Sequence, residues 1–71
     1  MRNIIIKDPA TDSQVSETKK TVMQERATVN VYSLNGNDLM LFKYEEGCLK
    51  RVKVFNSCEV ESVLKRIDAN H

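Results

Sequence analysis

The side chains best suited to covalent chemistry in this 71-residue chain are two thiols, Cys48 and Cys58. Neither has a histidine or a second cysteine near it in sequence, as a metal site or a Cys-His pair would need. Cys58 is expected in the first turn of a helix, where a thiolate is favoured, so a redox-sensing thiol is one interpretation. We favour the other, a small and partly buried apolar side chain in a reducing compartment.

Other residues capable of catalysis are few and poorly placed. His71, the single histidine, is the last residue, where ordered structure is uncommon. Gly36 and Gly47 are expected in turns and do not form a phosphate-binding loop. Paired carboxylates need a cleft, and the candidates lie at a loop tip or on different sides of a helix: Glu45 and Glu46, and Glu59 and Glu61. The sequence therefore predicts a non-catalytic protein that uses no metal, cofactor or small-molecule substrate.

The charge balance argues against proteins that depend on a strong electrostatic field. Eleven Lys and Arg residues face ten Asp and Glu residues, so the formal net charge is +1, and no bulk field attracts nucleic acid or a membrane. The apolar run Ile4 to Ile6 is too short for a signal peptide, and no run approaches the roughly 20 residues of a membrane span. We expect one small cytoplasmic domain, residues 1–71.

The elements that position these residues are predicted to form an α+β fold. An antiparallel meander of three strands, at about residues 27–34, 39–44 and 48–55, is followed by a helix at about 57–69. The helix has apolar residues at the i, i+3, i+4 and i+7 positions that a sheet-packing helix needs, namely Val60, Val63, Leu64 and Ile67. Either Asn56 or Ser57 is expected to cap it.

The turn after the first strand predicts which side chains share a face of the sheet. A two-residue Asn35-Gly36 loop, typical of a type I′ turn, would pair Leu34 with Asn37. A four-residue loop, 35–38, would move the centre of the turn by one residue but leave the faces unchanged, because its length is also even. In both cases one face carries Ala27, Val29, Val31, Met40, Phe42 and Tyr44. We expect the C-terminal helix to cover this face.

The second turn decides the orientation of the third strand. A two-residue Glu46-Gly47 loop would turn Arg51 and Lys53 towards the core, where unpaired charges are costly. A three-residue loop, 45–47, with Gly47 in a G1 bulge, avoids this cost and is the interpretation we prefer. Cys48, Val52 and Val54 would then join the covered face, with Lys50 reaching solvent near an edge.

The N-terminal 26 residues are predicted to be an arm or a helix. The β-branched run at residues 3–7 favours an extra edge strand, paired within its own sheet or with another copy, and Pro9 ends it. A short helix is expected at residues 13–26, with Val15, Val22 and Met23 as apolar positions. A solvated linker is the alternative, because these positions are sparse and a short helix is marginal alone.

The opposite face of the meander is the predicted binding surface, because it mixes apolar and basic side chains where a solvent face would be polar. Its partner-binding candidates are Tyr32, Leu39, Leu41, Lys43, Leu49, Arg51, Lys53 and Phe55. Three occupants are open: the N-terminal segment of the same chain, a second copy forming a homodimer, or a different partner, either protein or RNA.

Small, nearly neutral chains without a motif are common among regulators and inhibitors, including those encoded by phages and mobile elements. We therefore predict a protein-interaction module that binds and blocks a larger protein. The alternative is an RNA- or single-strand-binding domain, in which Tyr32 and Phe55 would stack on bases while Arg51 and Lys53 contact phosphates.

Overall fold

A computed structural model of the chain describes residues 1–69 and has an α+β architecture. Its elements are β1 Arg2–Lys7, α1 Asp12–Gln24, β2 Val29–Asn35, β3 Asp38–Glu45, β4 Cys48–Phe55, a 3₁₀ turn Ser57–Glu59 and α2 Val60–Ala69. The four strands form one sheet in the order β1-β2-β3-β4. The predicted meander and C-terminal helix are confirmed, and the N-terminal run is a strand of the same sheet.

β1 changes the sheet from purely antiparallel to mixed. It lies parallel to β2, while β2, β3 and β4 pair antiparallel. Parallel neighbours cannot be joined by a hairpin, so the chain must cross over one face of the sheet between them. The helix α1 is that crossover. It begins at a capping box, in which the Gln14 amide donates to Thr11 Oγ1 at 3.1 Å and the Thr11 amide donates to Gln14 Oε1 at 3.0 Å.

The two helices cover opposite faces of the sheet, and α2 lies on the face opposite to the one predicted for it. Val22 of α1 is buried against Val29 and Val31, with Phe42 and Tyr44 packed around them. The predicted grouping of these strand residues is therefore correct. The prediction that the C-terminal helix covers them is wrong, because α1 does. Because the β1-to-β2 crossover occupies that face, α2 packs on the other one, where its buried residues surround Leu39: Val60, Val63 and Ile67.

The first hairpin adopts the second of the two expected registers. Leu34 pairs with Leu39 and Asn35 with Asp38, so the pairing of Leu34 with Asn37 is wrong. Gly36 has a φ of 62° and is the first of the two central residues. A type II′ turn needs a positive φ at that position only, and this explains why the turn is centred one residue later than an Asn-Gly type I′ turn would be.

The second hairpin has a two-residue turn, and the predicted three-residue loop is wrong. Glu46 and Gly47 have φ angles of 52° and 79°, the pair of positive values that a type I′ turn requires. The pairing then shifts between Lys43 and Tyr44, so that Lys50 is an extra, bulged residue. Without the bulge, a two-residue turn would place Arg51 and Lys53 on the α1 side. The extra residue reverses the alternation after Lys50, so the residues beyond it lie on their predicted faces.

The bulge also explains two side chains that were assigned to the wrong face. Leu49 precedes the bulge, pairs with Tyr44 and lies on the α1 side. Cys48 pairs with Glu45 and therefore lies on the α2 side. Val52 and Val54 pair with Phe42 and Met40, as their predicted face requires.

The start of the C-terminal helical segment differs from the predicted cap. Asn56 precedes the 3₁₀ turn but makes no side-chain cap hydrogen bond. Its Nδ2 instead donates to Glu59 Oε1 at 3.1 Å, and its backbone carbonyl accepts from the Glu59 amide at 2.9 Å. The side-chain amide and the backbone carbonyl of Asn56 thus both have hydrogen-bond partners within the 3₁₀ turn, before α2 begins.

Candidate interaction surfaces

The α2 side of the sheet carries three rows of side chains, each crossing all four strands. The first row is polar: Asn3, Asn30, Lys43 and Arg51. The second is Ile5, Tyr32, Leu41 and Lys53, and the third is Lys7, Leu34, Leu39 and Phe55. Residues of the second and third rows pack against α2. The first row lies beside the helix and includes a hydrogen bond from Asn30 Nδ2 to Asn3 Oδ1 at 3.2 Å.

This arrangement removes part of the predicted binding surface from contact with any partner. Leu39 is 0% exposed at the centre of the α2 core, so its assignment as a partner-binding residue is wrong. Tyr32 and Phe55 are half-buried and pack against the same core. The face was predicted to be open because the sequence pattern placed α2 on the other side.

The basic members of the predicted site remain accessible. Arg51 and Lys53 are exposed and line a groove together with Tyr32, Phe55 and Arg66 of α2, which we call the basic groove. Lys53 Nζ lies 4.9 Å from the centroid of the Phe55 ring, within cation–π distance.

Two further members of the predicted site lie near the middle of the sheet. Leu41 is half-buried, and so is Lys43, whose Nζ is 3.6 Å from Glu45 Oε1. Glu59 also lines the basic groove. Arg51 and Lys53 therefore line one groove, which they share with Glu59 and with side chains that pack against α2.

The most exposed apolar side chains of the sheet lie on the α1 side, on β4. The helix α1 packs over β1, β2 and the adjoining part of β3, and it does not extend over β4. Leu49, Val52 and Val54 are therefore 51%, 47% and 69% exposed. We call these three residues the open apolar surface. Met40 pairs with Val54 and is half-buried beside them.

An apolar groove between α1 and the sheet continues this surface. It is lined by Val15, Val22 and Met23 of α1 together with Tyr44 and Gly47, and Tyr44 is the strand partner of Leu49. Met23 projects into solvent and is 80% exposed. Gly47 lies close to the helix, because a Cβ built there would sit 3.8 Å from the carbonyl oxygen of Val22.

β4 is also an edge strand. It pairs with β3 on one side, and in the part of the chain that the structure describes no strand pairs with its other side. An edge strand presents unpaired backbone N–H and C=O groups. The open apolar surface and the cations Arg51 and Lys53 thus lie on the two faces of the same edge strand.

The open apolar surface was not predicted from the sequence, because Val52 and Val54 were expected under a helix. A signal was present in the strand itself, since Lys50, Arg51 and Lys53 give β4 three cations and no acidic residue. Exposed charge of this kind is typical of edge strands.

The residues considered first for chemistry are distributed over the surface. Cys48 and Cys58 are free and exposed, so the expected partial burial of these thiols is wrong. Cys48 is the first residue of β4, directly after the second turn, and Cys58 lies in the 3₁₀ turn, which explains their exposure. Among residues 1–69, no group of three or more His, Cys, Asp or Glu side chains is placed to hold a metal ion. His71 lies outside the described residues.

No helix among residues 1–69 has the length and apolar character needed to cross a membrane. Comparisons of the chain with protein-family models, with curated proteins and with solved structures find no match.

Proposed function

We propose that this chain is a non-catalytic protein-interaction module that binds a larger protein through the open apolar surface and thereby blocks or regulates it. The observation that carries the proposal is the exposure of Leu49, Val52 and Val54 on one edge strand, beside a helix that stops short of them. Branched aliphatic side chains gathered on one exposed surface mark contact sites in proteins.

The location of these side chains supports binding rather than a structural role within the chain. Val54 is more exposed than Val52, and its strand partner Met40 is only half-buried. Each buried CH₂ contributes about 0.8 kcal/mol. A partner that covered these side chains would therefore recover apolar burial that the fold itself leaves unused.

The cytoplasm remains the compartment that we propose for this module. Cys48 and Cys58 are both free and exposed. Exposed thiols stay reduced in the cytoplasm, whereas an oxidising compartment would cross-link them.

The proposal is tested by capture from a lysate of the cell that makes the protein, with wild type beside the double variant Val52→Asn and Val54→Asn. We expect a discrete protein to be recovered by wild type and reduced at least about tenfold by the double variant, because an interface anchor contributes more than 1.4 kcal/mol. Met23→Asn is the control for the polar substitution itself, since it changes an apolar side chain that is 80% exposed on the α1 side of the adjoining groove and is not one of the three residues of the open apolar surface.

Equal recovery by wild type and the double variant would place the contact elsewhere and contradict the proposal. Recovery that disappears after nuclease treatment would contradict it as well. Thermal unfolding of each variant shows whether the loss of binding is separate from a loss of folding.

A second candidate, binding of single-stranded RNA, is favoured by the basic groove, where Arg51, Lys53 and Arg66 lie beside two aromatic rings. Such domains stack bases on aromatic faces and bind phosphates with cations. The half-burial of Tyr32 and Phe55 under α2 limits the ring surface available for stacking. RNA binding would weaken steeply as salt rises, because counterion release drives it, whereas an apolar protein contact would not.

A further inference from the structure

We propose that the edge of β4 accepts an extended segment of another protein as a fifth strand, and that this segment alternates acidic and apolar side chains. The inference rests on the proposed function and specifies the chemistry of the partner. Its acidic side chains would lie beside Arg51 and Lys53, and its apolar side chains beside Val52 and Val54. The edge backbone would supply the hydrogen bonds, as in other cases of β-strand addition.

The two faces of β4 require this alternation. Beyond the bulge at Lys50, side chains of β4 alternate between the α2 side and the α1 side. Arg51 and Lys53 take the first, and Val52 and Val54 the second. A strand placed at the edge puts its own side chains beside these in the same alternation, because side chains directly opposite share a face.

The bulge also limits the length of the new pairing. Lys50 interrupts the regular ladder, and the strand ends at Phe55 before the 3₁₀ turn. The uninterrupted edge therefore runs over residues 51–55, about 17 Å at roughly 3.4 Å per residue. A short segment of five to seven residues is enough to occupy it.

Charge argues that the added strand is acidic. Within residues 1–69, ion pairs join Lys43 to Glu45, Lys65 to Glu61 and Arg2 to Glu25, and none involves the three cations of β4. Carboxylates on an incoming strand would provide partners for Arg51 and Lys53, each opposite-charge pair stabilising the ladder.

The same charges argue against a second copy of this chain at the edge. In the antiparallel register that overlaps residues 51–55 completely, a twofold axis places Lys53 opposite Lys53 of the other copy. In the next register towards the bulge, Arg51 meets Lys53 instead. Both registers place like charges opposite each other, which is destabilising. Lysine on an edge strand is a known means of preventing such self-pairing.

Strand addition also uses more of β4 than a nucleic acid would. Phosphates could contact Arg51 and Lys53 on the α2 side, but Val52 and Val54 on the α1 side would stay exposed. An alternating strand covers the cations, the aliphatic side chains and the edge backbone groups together.

The test uses the full chain and three labelled nonapeptides, measured by fluorescence anisotropy. One alternates Glu and Val, one alternates Lys and Val, and one has the composition of the first in a sequence without alternation. We expect wild type to bind the alternating Glu-Val peptide about tenfold more tightly than the other two. In the Lys-Val peptide, two cross-strand charge pairs change from attractive to repulsive. In the peptide without alternation, acidic and apolar side chains no longer fall on separate faces.

Charge reversal of β4 sharpens the test. The double variant Arg51→Glu and Lys53→Glu should reverse the preference, so that the Lys-Val peptide binds more tightly. The matched control is Lys19→Glu with Lys20→Glu on α1, which changes the net charge equally at two exposed sites. The control should keep the wild-type preference.

Amide hydrogen exchange locates the added strand. Binding should increase protection at residues 51–55 and leave β1, the opposite edge of the sheet, unchanged. Protection at β1 instead, a preference that charge reversal does not alter, or tighter binding of a single-stranded oligonucleotide than of any peptide would overturn the inference. If no peptide binds while cellular capture still depends on Val52 and Val54, strand addition is wrong and the proposed function stands.

Discussion

The two helices cover the two faces of the sheet to unequal extents. The ten-residue α2 buries Val60, Val63 and Ile67 around Leu39, which is completely enclosed. The thirteen-residue α1 is longer, yet of its residues, all of which the structure describes, only Val22 is buried. The helix that buries three side chains encloses a core, whereas the helix that buries one side chain leaves the adjoining surface of the sheet exposed.

This difference explains where the molecule can bind a partner. The α2 side is largely used for folding, and its accessible residues are the cations at the margin of the helix. The α1 side keeps aliphatic residues of β4 in solvent because the crossover between β1 and β2 is confined to the opposite half of the sheet. The parallel pairing of β1 with β2 is therefore the structural cause of the open apolar surface.

The largest effect is expected at the centre of the α2 core. Leu39→Ala should lower the free energy of unfolding by about 2–5 kcal/mol, because it removes a fully buried side chain and leaves a cavity. In a domain of this size such a loss is a large part of the total stability. Urea unfolding followed by circular dichroism measures it, and a loss below about 1 kcal/mol would mean that this side chain is not enclosed.

The difference in packing between the two helices can be tested by making the same substitution, valine to alanine, once in each helix. Val22→Ala and Val63→Ala remove the same two methyl groups from buried positions, and each should cost about 1–3 kcal/mol. Their effects on hydrogen exchange should differ. Val22→Ala should release α1 locally, with α2 amides still protected, whereas Val63→Ala should lower protection throughout the chain. Equal and global loss of protection in both variants would contradict the comparison.

Much of this fold follows from side-chain alternation and turn chemistry. The grouping of Val29, Val31, Phe42 and Tyr44 depends only on an even loop length, so it is correct although the strand partner of each residue moved by two positions. The stripe of α2 was readable for the same reason, since helical spacing is a local property.

The errors concern features that depend on distant parts of the chain. Both faces of the meander carry enough apolar residues to bind a helix, so the pattern alone could not assign α1 and α2 to their sides. That assignment follows from the parallel position of β1, a contact between residues about 27 positions apart. The face of Leu49 depended on the bulge at Lys50, and the sequence has no glycine there to indicate one.

The candidate site was predicted in part for the same reasons. Arg51 and Lys53 were expected on an accessible face and are exposed, because charged side chains are rarely buried without partners. Leu39 was expected on that face as well, but α2 encloses it. Val52 and Val54 were assigned to a covered face and are open, because β4 lies beyond the reach of α1.

The smallest expected effect is the one that best separates binding from folding. Val54→Ser should change the free energy of unfolding by about 0.5 kcal/mol or less, because a side chain that is 69% exposed loses little burial when it is shortened. The same substitution should weaken capture of a protein partner, since it removes the most exposed member of the open apolar surface. Thermal unfolding and capture, measured on one preparation, give the two values together. A destabilisation above about 1 kcal/mol would mean that Val54 is packed in solution, and the contrast between a closed α2 side and an open α1 side would fail at β4.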